Sequence, residues 1–141
     1  MVLPGFTKYL DLPVWYGLAG AFVHAASPEQ WGLVVNEAMA AGLPVLVSND
    51  CGCAPELVEP GRNGFVFDPR DTEGLAQHMF RMASGQYDRV AMGAASRDII
   101  ARWTPALFAE NLWNAARTAL SYLRPSRTFL DRAIIYGLGR L

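Results

Sequence analysis

No apolar run in this 141-residue chain approaches the ~20 residues that a membrane-spanning helix needs, although 52% of its residues are hydrophobic. Cysteine and histidine are scarce, two of each. Cys51 and Cys53 are separated by one residue and both histidines lie far off in sequence, so a four-ligand zinc site is excluded and reduced thiols are expected. The opening Met1-Val2-Leu3-Pro4-Gly5 has neither a basic stretch nor an apolar core of the kind a secretory signal carries, which makes the cytoplasm the expected location. Charge of one sign is also missing from the total, which is −1. It is unevenly spread: between 124 and 141 four arginines face one aspartate, a net of +3, which leaves −4 elsewhere. An acidic body argues against nucleic acid as a partner. The basic end has two readings, a solvated terminus or a weak peripheral contact with an anionic inner membrane.

What is present is an alternation of short apolar strands and helices. Val2–Phe6 reads as a short strand, and Asp11-Leu12-Pro13 as a cap and first-turn proline opening two turns of helix through Val14, Trp15, Tyr16 and Leu18. Ala21–Ala25 is a compact apolar run, as expected of a strand buried on both faces. From Leu33 to Ala41 nearly every residue is apolar, which predicts a helix buried almost all round, ended by Gly42-Leu43-Pro44. Asn36 and Glu37 are the anomalies in it, and a buried carboxylate needs a partner.

Val45–Ser48 is the clearest strand, followed by the loop Asn49 to Cys53; Pro55 to Val58 reads as one helical turn, and Gly64–Phe67 as another strand. The spacing predicts a helix over 72–83 with Leu75, Ala76, Met79, Phe80 and Ala83 on its apolar stripe, and a second over 88–102 with Ala91, Ala95 and Ile99 in step. Thr104-Pro105 caps a helix whose face carries Phe108, Leu112, Ala115, Ala116, Ala119 and Leu123, and Pro125 breaks it. A short helix from Thr128 to Leu138 closes the chain. This order predicts an α/β fold with a parallel sheet of about four strands joined by right-handed crossovers. Ligands in such sheets bind at the C-terminal ends of the strands, where the sequence places Ser27 to Leu33, Ser48 to Ala54 and a helix start whose free amides come from Gly32, Leu33 and Val34. That start suits a phosphate.

Glu29 and Glu37, eight positions apart in Glu-Gln-Trp-Gly-Leu-Val-Val-Asn-Glu-Ala-Met-Ala-Ala-Gly-Leu-Pro-Val, resemble the donor-site motif of retaining GT-B glycosyltransferases of family 4 (group 1). The likeness runs from Val2–Phe6 through Ala54-Pro55-Glu56-Leu57-Val58 and Gly61-Arg62-Asn63-Gly64 to the helix at Leu107. It implies a partial Rossmann-like sheet, the C-terminal half of a GT-B fold, with 1–123 a truncated nucleotide-sugar donor-binding domain and 124–141 a basic tail. By the same resemblance, Glu29 faces the hydroxyls of the transferred sugar in the catalytic position, and Glu37 accepts hydrogen bonds from the ribose. Amides of Trp31, Gly32 and Leu33 meet the sugar and diphosphate, while Gly5, Phe6 and Thr7 lie along the nucleobase. The nucleotide-diphosphate sugar is a substrate, and neither a metal nor another cofactor is implied.

The chain also departs from the family. The acceptor-binding domain, and the arginine and lysine that grip the diphosphate, are not among these residues. Trp31 stands where phenylalanine is common, and Cys51-Gly52-Cys53-Ala54 replaces a more glycine-rich turn, which bears on how closely backbone can approach a ligand there. Plainer readings stay open beside the family's: Glu29 as a solvated loop acid, Glu37 as a helix carboxylate paired with an arginine or left exposed, Glu56 as a turn support, His24 as a packed, hydrogen-bonded histidine, and Trp31, Trp103 and Trp113 as core or packing residues. Three functions follow: the donor-binding portion of a sugar transferase, inactive alone; an interaction subunit completed by a separately encoded acceptor-binding chain; or a nucleotide-binding module without chemistry. Apolar surface left bare by missing elements makes self-association a further expectation.

Overall fold

The computed structural model describes residues 5–122, and the expected features at Val2 to Pro4 and from 124 to 141 lie outside them. The chain divides into two compact units, Met1–Trp103 and Thr104–Leu141. In the first, a 3-10 turn at Tyr9–Asp11 leads into α1 (Leu12–Leu18), then β1 (Phe22–His24), α2 (Leu33–Ala40), β2 (Val45–Ser48), α3 (Ala54–Leu57), β3 (Gly64–Phe67), α4 (Thr72–Ala83) and α5 (Arg89–Ile100). The described part of the second is α6 (Pro105–Tyr122), where Thr104 Oγ1 accepts the Leu107 amide at 3.1 Å, the cap its sequence predicts.

The sheet is parallel and its order is β1-β2-β3, with Phe22 opposite Val45 and Val45 opposite Gly64. Three strands are present among the described residues, and Gly5 and Phe6 are not part of a strand. β2 is the centre: all four of its residues are buried, which is what a β-branched run paired on both sides requires. Its side chains alternate, Val45 and Val47 packing with Val35, Ala38 and Met39 of α2 and with Leu57 and Ile99, and Leu46 packing on the other face with Phe67, Met82 and Met92. β1 is only half-buried along its length, contrary to the expectation of burial on both faces, because among the described residues it pairs on one side alone.

Helix α2 ends in a Schellman motif. The Gly42 amide donates to Met39 O at 2.9 Å and the Leu43 amide to Ala38 O at 3.0 Å, with Gly42 at φ +83°. α5 seals this end: Ser96 Oγ donates to Leu43 O at 2.7 Å and the Arg97 guanidinium to Ala41 O at 3.0 Å. The buried line of α5 is therefore Met92, Gly93, Ser96 and Ile99, and Ala91 is exposed. A small residue and a satisfied hydroxyl permit the close approach, and a hydropathy stripe does not register them. On α4 the buried residue is Met82, with Leu75 half-buried, whereas Phe80 is 66% exposed. Nor is α2 buried all round. Leu33 is 69% and Val34 38% exposed, since the first turn of the helix projects past the strand ends, where no described element covers it. The apolar side chains of Phe6, Leu10, Val14 and Leu18 are exposed as well.

Candidate functional site

Two loops leave the C-terminal ends of β1 and β2 and run side by side. The Glu29 amide donates to Asp50 O at 3.1 Å, the Gly52 amide to Glu29 O at 2.9 Å, and the Cys53 amide to Trp31 O at 3.2 Å. Glu29 is thus joined to Cys51 by a single parallel β-bridge, and it precedes the helix. Gly52 comes so close to the Gln30 carbonyl that a Cβ would collide with it, so the turn containing the two cysteines keeps glycine where the backbones meet. The Cys51 thiol donates to the Trp31 carbonyl at 2.9 Å, and its sulfur lies 3.5 Å from that of Cys53. Both are free thiols, and burial together with the neighbouring thiol pushes Cys53 up to about 12, so it stays protonated. Among the described residues no three His, Cys, Asp or Glu side chains are placed to hold a metal ion.

Chain direction changes at Gly32, which caps α2 at φ +90° and ψ +63°. This left-handed conformation suits glycine, and the absent Cβ matters as well: it would lie 2.9 Å from Cys51 Sγ and 3.1 Å from His24 Nε2. His24 packs beneath the turn, but its Nε2 is buried and without a hydrogen-bond partner among the described residues, contrary to the expectation of a hydrogen-bonded histidine. No side chain caps the helix; the Val35 amide donates to Gly32 O at 2.9 Å, while the Leu33 and Val34 amides have no hydrogen-bond partner among the described residues. The Glu29 carboxylate curls onto its own loop and accepts the Trp31 amide at 3.3 Å.

Both polar anomalies of α2 prove to be satisfied by aromatic donors. The Trp31 indole donates to Asn36 Oδ1 at 3.1 Å, while its ring packs 5.4 Å from that of Trp103. The Tyr16 hydroxyl donates to Glu37 Oε2 at 2.9 Å. Neither ion pair of the described residues, Arg62 with Glu59 and Arg70 with Asp68, involves Glu37. Tyr16 and Glu37 share a groove of about 480 Å³ with Tyr9, Leu10, Leu12, Pro13, Gly17 and Ala41. Phe6 and Thr7 line a different groove, of about 470 Å³, with Lys8, Asp11, Val14 and Trp15, and Gly5 precedes it on exposed chain. The structure therefore brings Glu29, Trp31, Gly32 and Leu33 together at one turn, sets Glu37 one helical turn on beside α1, and puts residues 5–7 along another surface. Sequence reasoning missed Tyr16 as Glu37's partner. The two are 21 residues apart, and no local periodicity links them.

The Tyr16 contact predicts a pH effect. Burial first, then the hydrogen bond and charge of Glu37, raise the phenol from 10.0 to about 12. An unfolded tyrosine titrates near 10, so as pH rises from ~10 to ~12 the unfolded chain releases this proton and the folded one holds it. The stability contributed is full below pH ~10 and is lost by pH ~12. Urea unfolding of wild type and Tyr16→Phe at intervals from pH 9 to 12 should show their difference closing; a constant difference would remove the linkage.

The model of the family described as glycosyl transferases group 1 matches residues 1–99. Over 101 residues the chain is 35% identical to the GDP-mannose-dependent alpha-(1-6)-phosphatidylinositol monomannoside mannosyltransferase of Mycobacterium tuberculosis, covering 66% of this chain and 26% of that protein. Over 122 residues it is 30% identical to the sulfoquinovosyl transferase SQD2 of Arabidopsis thaliana, covering 84% of this chain and 22% of that one. Among solved structures, sucrose-phosphate synthase from Thermosynechococcus elongatus superposes with a TM-score of 0.71 at 25% identity, over 84% of this chain and 30% of its own. The C-terminal domain of a group 1 glycosyl transferase from Francisella tularensis shares the fold, with a TM-score of 0.63 at 23% identity over 71% of this chain and 51% of its own.

Proposed function

This chain belongs to the glycosyl transferases of group 1, and from that premise we propose that it is the donor-binding portion of a retaining transferase that accepts a nucleotide-diphosphate sugar. The observation that carries the reading is the uncapped start of α2: open amides at the C-terminal end of a parallel sheet, entered through Gly32, with Glu29 just before them and Glu37 one turn beyond. Such amides attract a diphosphate through their partial positive charge. In this reading the diphosphate meets Trp31, Gly32 and Leu33, Glu29 turns to the hydroxyls of the transferred sugar, and Glu37 accepts from the ribose. Two vicinal hydroxyls satisfy a carboxylate without a buried cation, which agrees with Glu37 having a phenol beside it and, among the described residues, no ion pair with an arginine. The nucleotide sugar is the substrate, and the reading calls on no further cofactor. The GDP-mannose dependence named for the Mycobacterium relative makes a nucleoside diphosphate the natural probe.

Calorimetric titration of the chain with GDP, UDP and ADP tests this. Glu37→Ala should keep the fold, alanine being the better helix former, and lose a charged hydrogen bond of roughly 1.5–3 kcal/mol, about 10- to 150-fold in Kd. Equal affinities would remove Glu37 from the site. A second reading is favoured by the exposure of Phe6, Leu10, Val14 and Leu18: association through exposed apolar side chains of the N-terminal segment, either with a separate acceptor-binding chain or with another copy. A partner that co-purifies and brings turnover would support it. Nucleotide affinity with neither partner nor turnover would point to a binding module. No helix of the described residues is long and apolar enough to cross a membrane. A peripheral contact through the basic 124–141 segment is part of the proposal only as a weak addition.

A further inference from the structure

We infer that Tyr16 is a positioning residue for the donor site, holding one oxygen of the Glu37 carboxylate so that the group is presented in a fixed orientation to a ribose diol. The inference rests on the reading of Glu37 as a nucleotide contact and assigns a role to a residue that the motif does not contain.

A glutamate on a helix surface turns about three side-chain bonds, and immobilising it on binding costs affinity. Tyr16 removes that freedom beforehand. Its ring is half-buried and packs edge-on to Phe22 of β1, with centroids 6.0 Å apart and planes at 64°, so the hydroxyl is delivered from a rigid platform to Glu37 Oε2 at 2.9 Å. Oε1 has no hydrogen-bond partner among the described residues. A carboxylate offers about four lone-pair sites, so one phenol leaves capacity for two further donors. A phenol also orients without neutralising. An arginine in its place would occupy both oxygens in a bidentate pair, whereas Tyr16 leaves the full negative charge available to hydroxyl donors. Both residues line the same groove between α1 and α2, which is open to a ligand.

The test keeps the ring and removes the hydroxyl. For the full 141-residue chain, calorimetry would compare wild type, Tyr16→Phe, Glu37→Ala and the double variant against the tightest of GDP, UDP and ADP and against its 2′-deoxy form. Tyr16→Phe should weaken the ribonucleotide by roughly 2- to 12-fold, as expected for one side chain ordered on binding. It should weaken the 2′-deoxy form less, and have no effect in the Glu37→Ala background. A purely structural role would lower affinity for both nucleotides equally and would persist without Glu37; that result, or unchanged affinity in Tyr16→Phe, overturns the inference while leaving the donor-site reading intact. If wild type binds none of the three diphosphates, the donor-site reading fails and this inference fails with it.

Discussion

Gly32→Ala should lower the unfolding free energy by roughly 2–5 kcal/mol and abolish nucleotide binding. Two independent costs meet at this residue. Its φ of +90° puts any L side chain in a left-handed conformation, worth roughly 1–2 kcal/mol, and forcing a methyl into packed surroundings adds about 1–3 kcal/mol. The surroundings cannot easily give way. The nearest atom to the new methyl would be Cys51 Sγ, which donates to the Trp31 carbonyl, so moving it breaks one of the bonds that join the two loops; the next is His24 Nε2, buried at the end of β1. Either the loop shifts or the start of α2 does, and both carry the open amides. Gly61→Ala is the control. Gly61 has φ +80° but nothing within 4 Å of its Cβ position, so only the conformational cost of roughly 1–2 kcal/mol should appear. Urea unfolding of the three proteins decides the matter. An unchanged midpoint in Gly32→Ala, or equal losses in the two variants, would mean that the contacts with Cys51 and His24 carry no energy.

The 141 residues by themselves should show no steady sugar transfer. Holding donor and acceptor in register supplies roughly 7–11 kcal/mol of the barrier reduction in a two-substrate reaction, and this chain spans only 26% of the mannosyltransferase and 22% of the sulfoquinovosyl transferase it matches. The departing diphosphate also gathers charge as the glycosidic bond breaks. Electrostatic support of that kind is costly to lose, with a single missing donor reducing rate by roughly 10²–10³. In the proposed donor site that support would come from helix amides, and neither ion pair of the described residues includes a side chain of the turn. Incubation with GDP-mannose or UDP-glucose and a panel of sugar and lipid acceptors, following nucleotide release, should give only background. Steady turnover abolished by Glu29→Ala would overturn this, and would make the chain a minimal enzyme that assembles its cleft by dimerising.

The sequence by itself determined the features whose physics is local. Parallel strands at Val45–Ser48 and Gly64–Phe67 follow from short β-branched and aromatic runs between turn residues, and the extent of α4 over 72–83 from its flanking caps, though its buried residue is Met82 and Ala76, Met79, Phe80 and Ala83 of the expected stripe are exposed. The end of α2 follows from Gly42 and Pro44, and the family from the glutamate pair and the residues that follow it. Only the tertiary structure decided what depends on contacts across the chain. Glu29 is fixed by its bridge to Cys51, 22 positions later, and Leu33 and Val34 are exposed where no described element covers the first turn of the helix. The buried face of α5 is set by Gly93 and Ser96 meeting the end of α2, where small size and a satisfied hydroxyl outweigh hydropathy. Most telling is Glu37. Its sequence says that a carboxylate in an apolar helix must find a partner, but the choice of Tyr16 over an arginine arises only when α1 folds against α2, since a hydrogen bond selects neighbours in space and leaves no periodic trace along the chain.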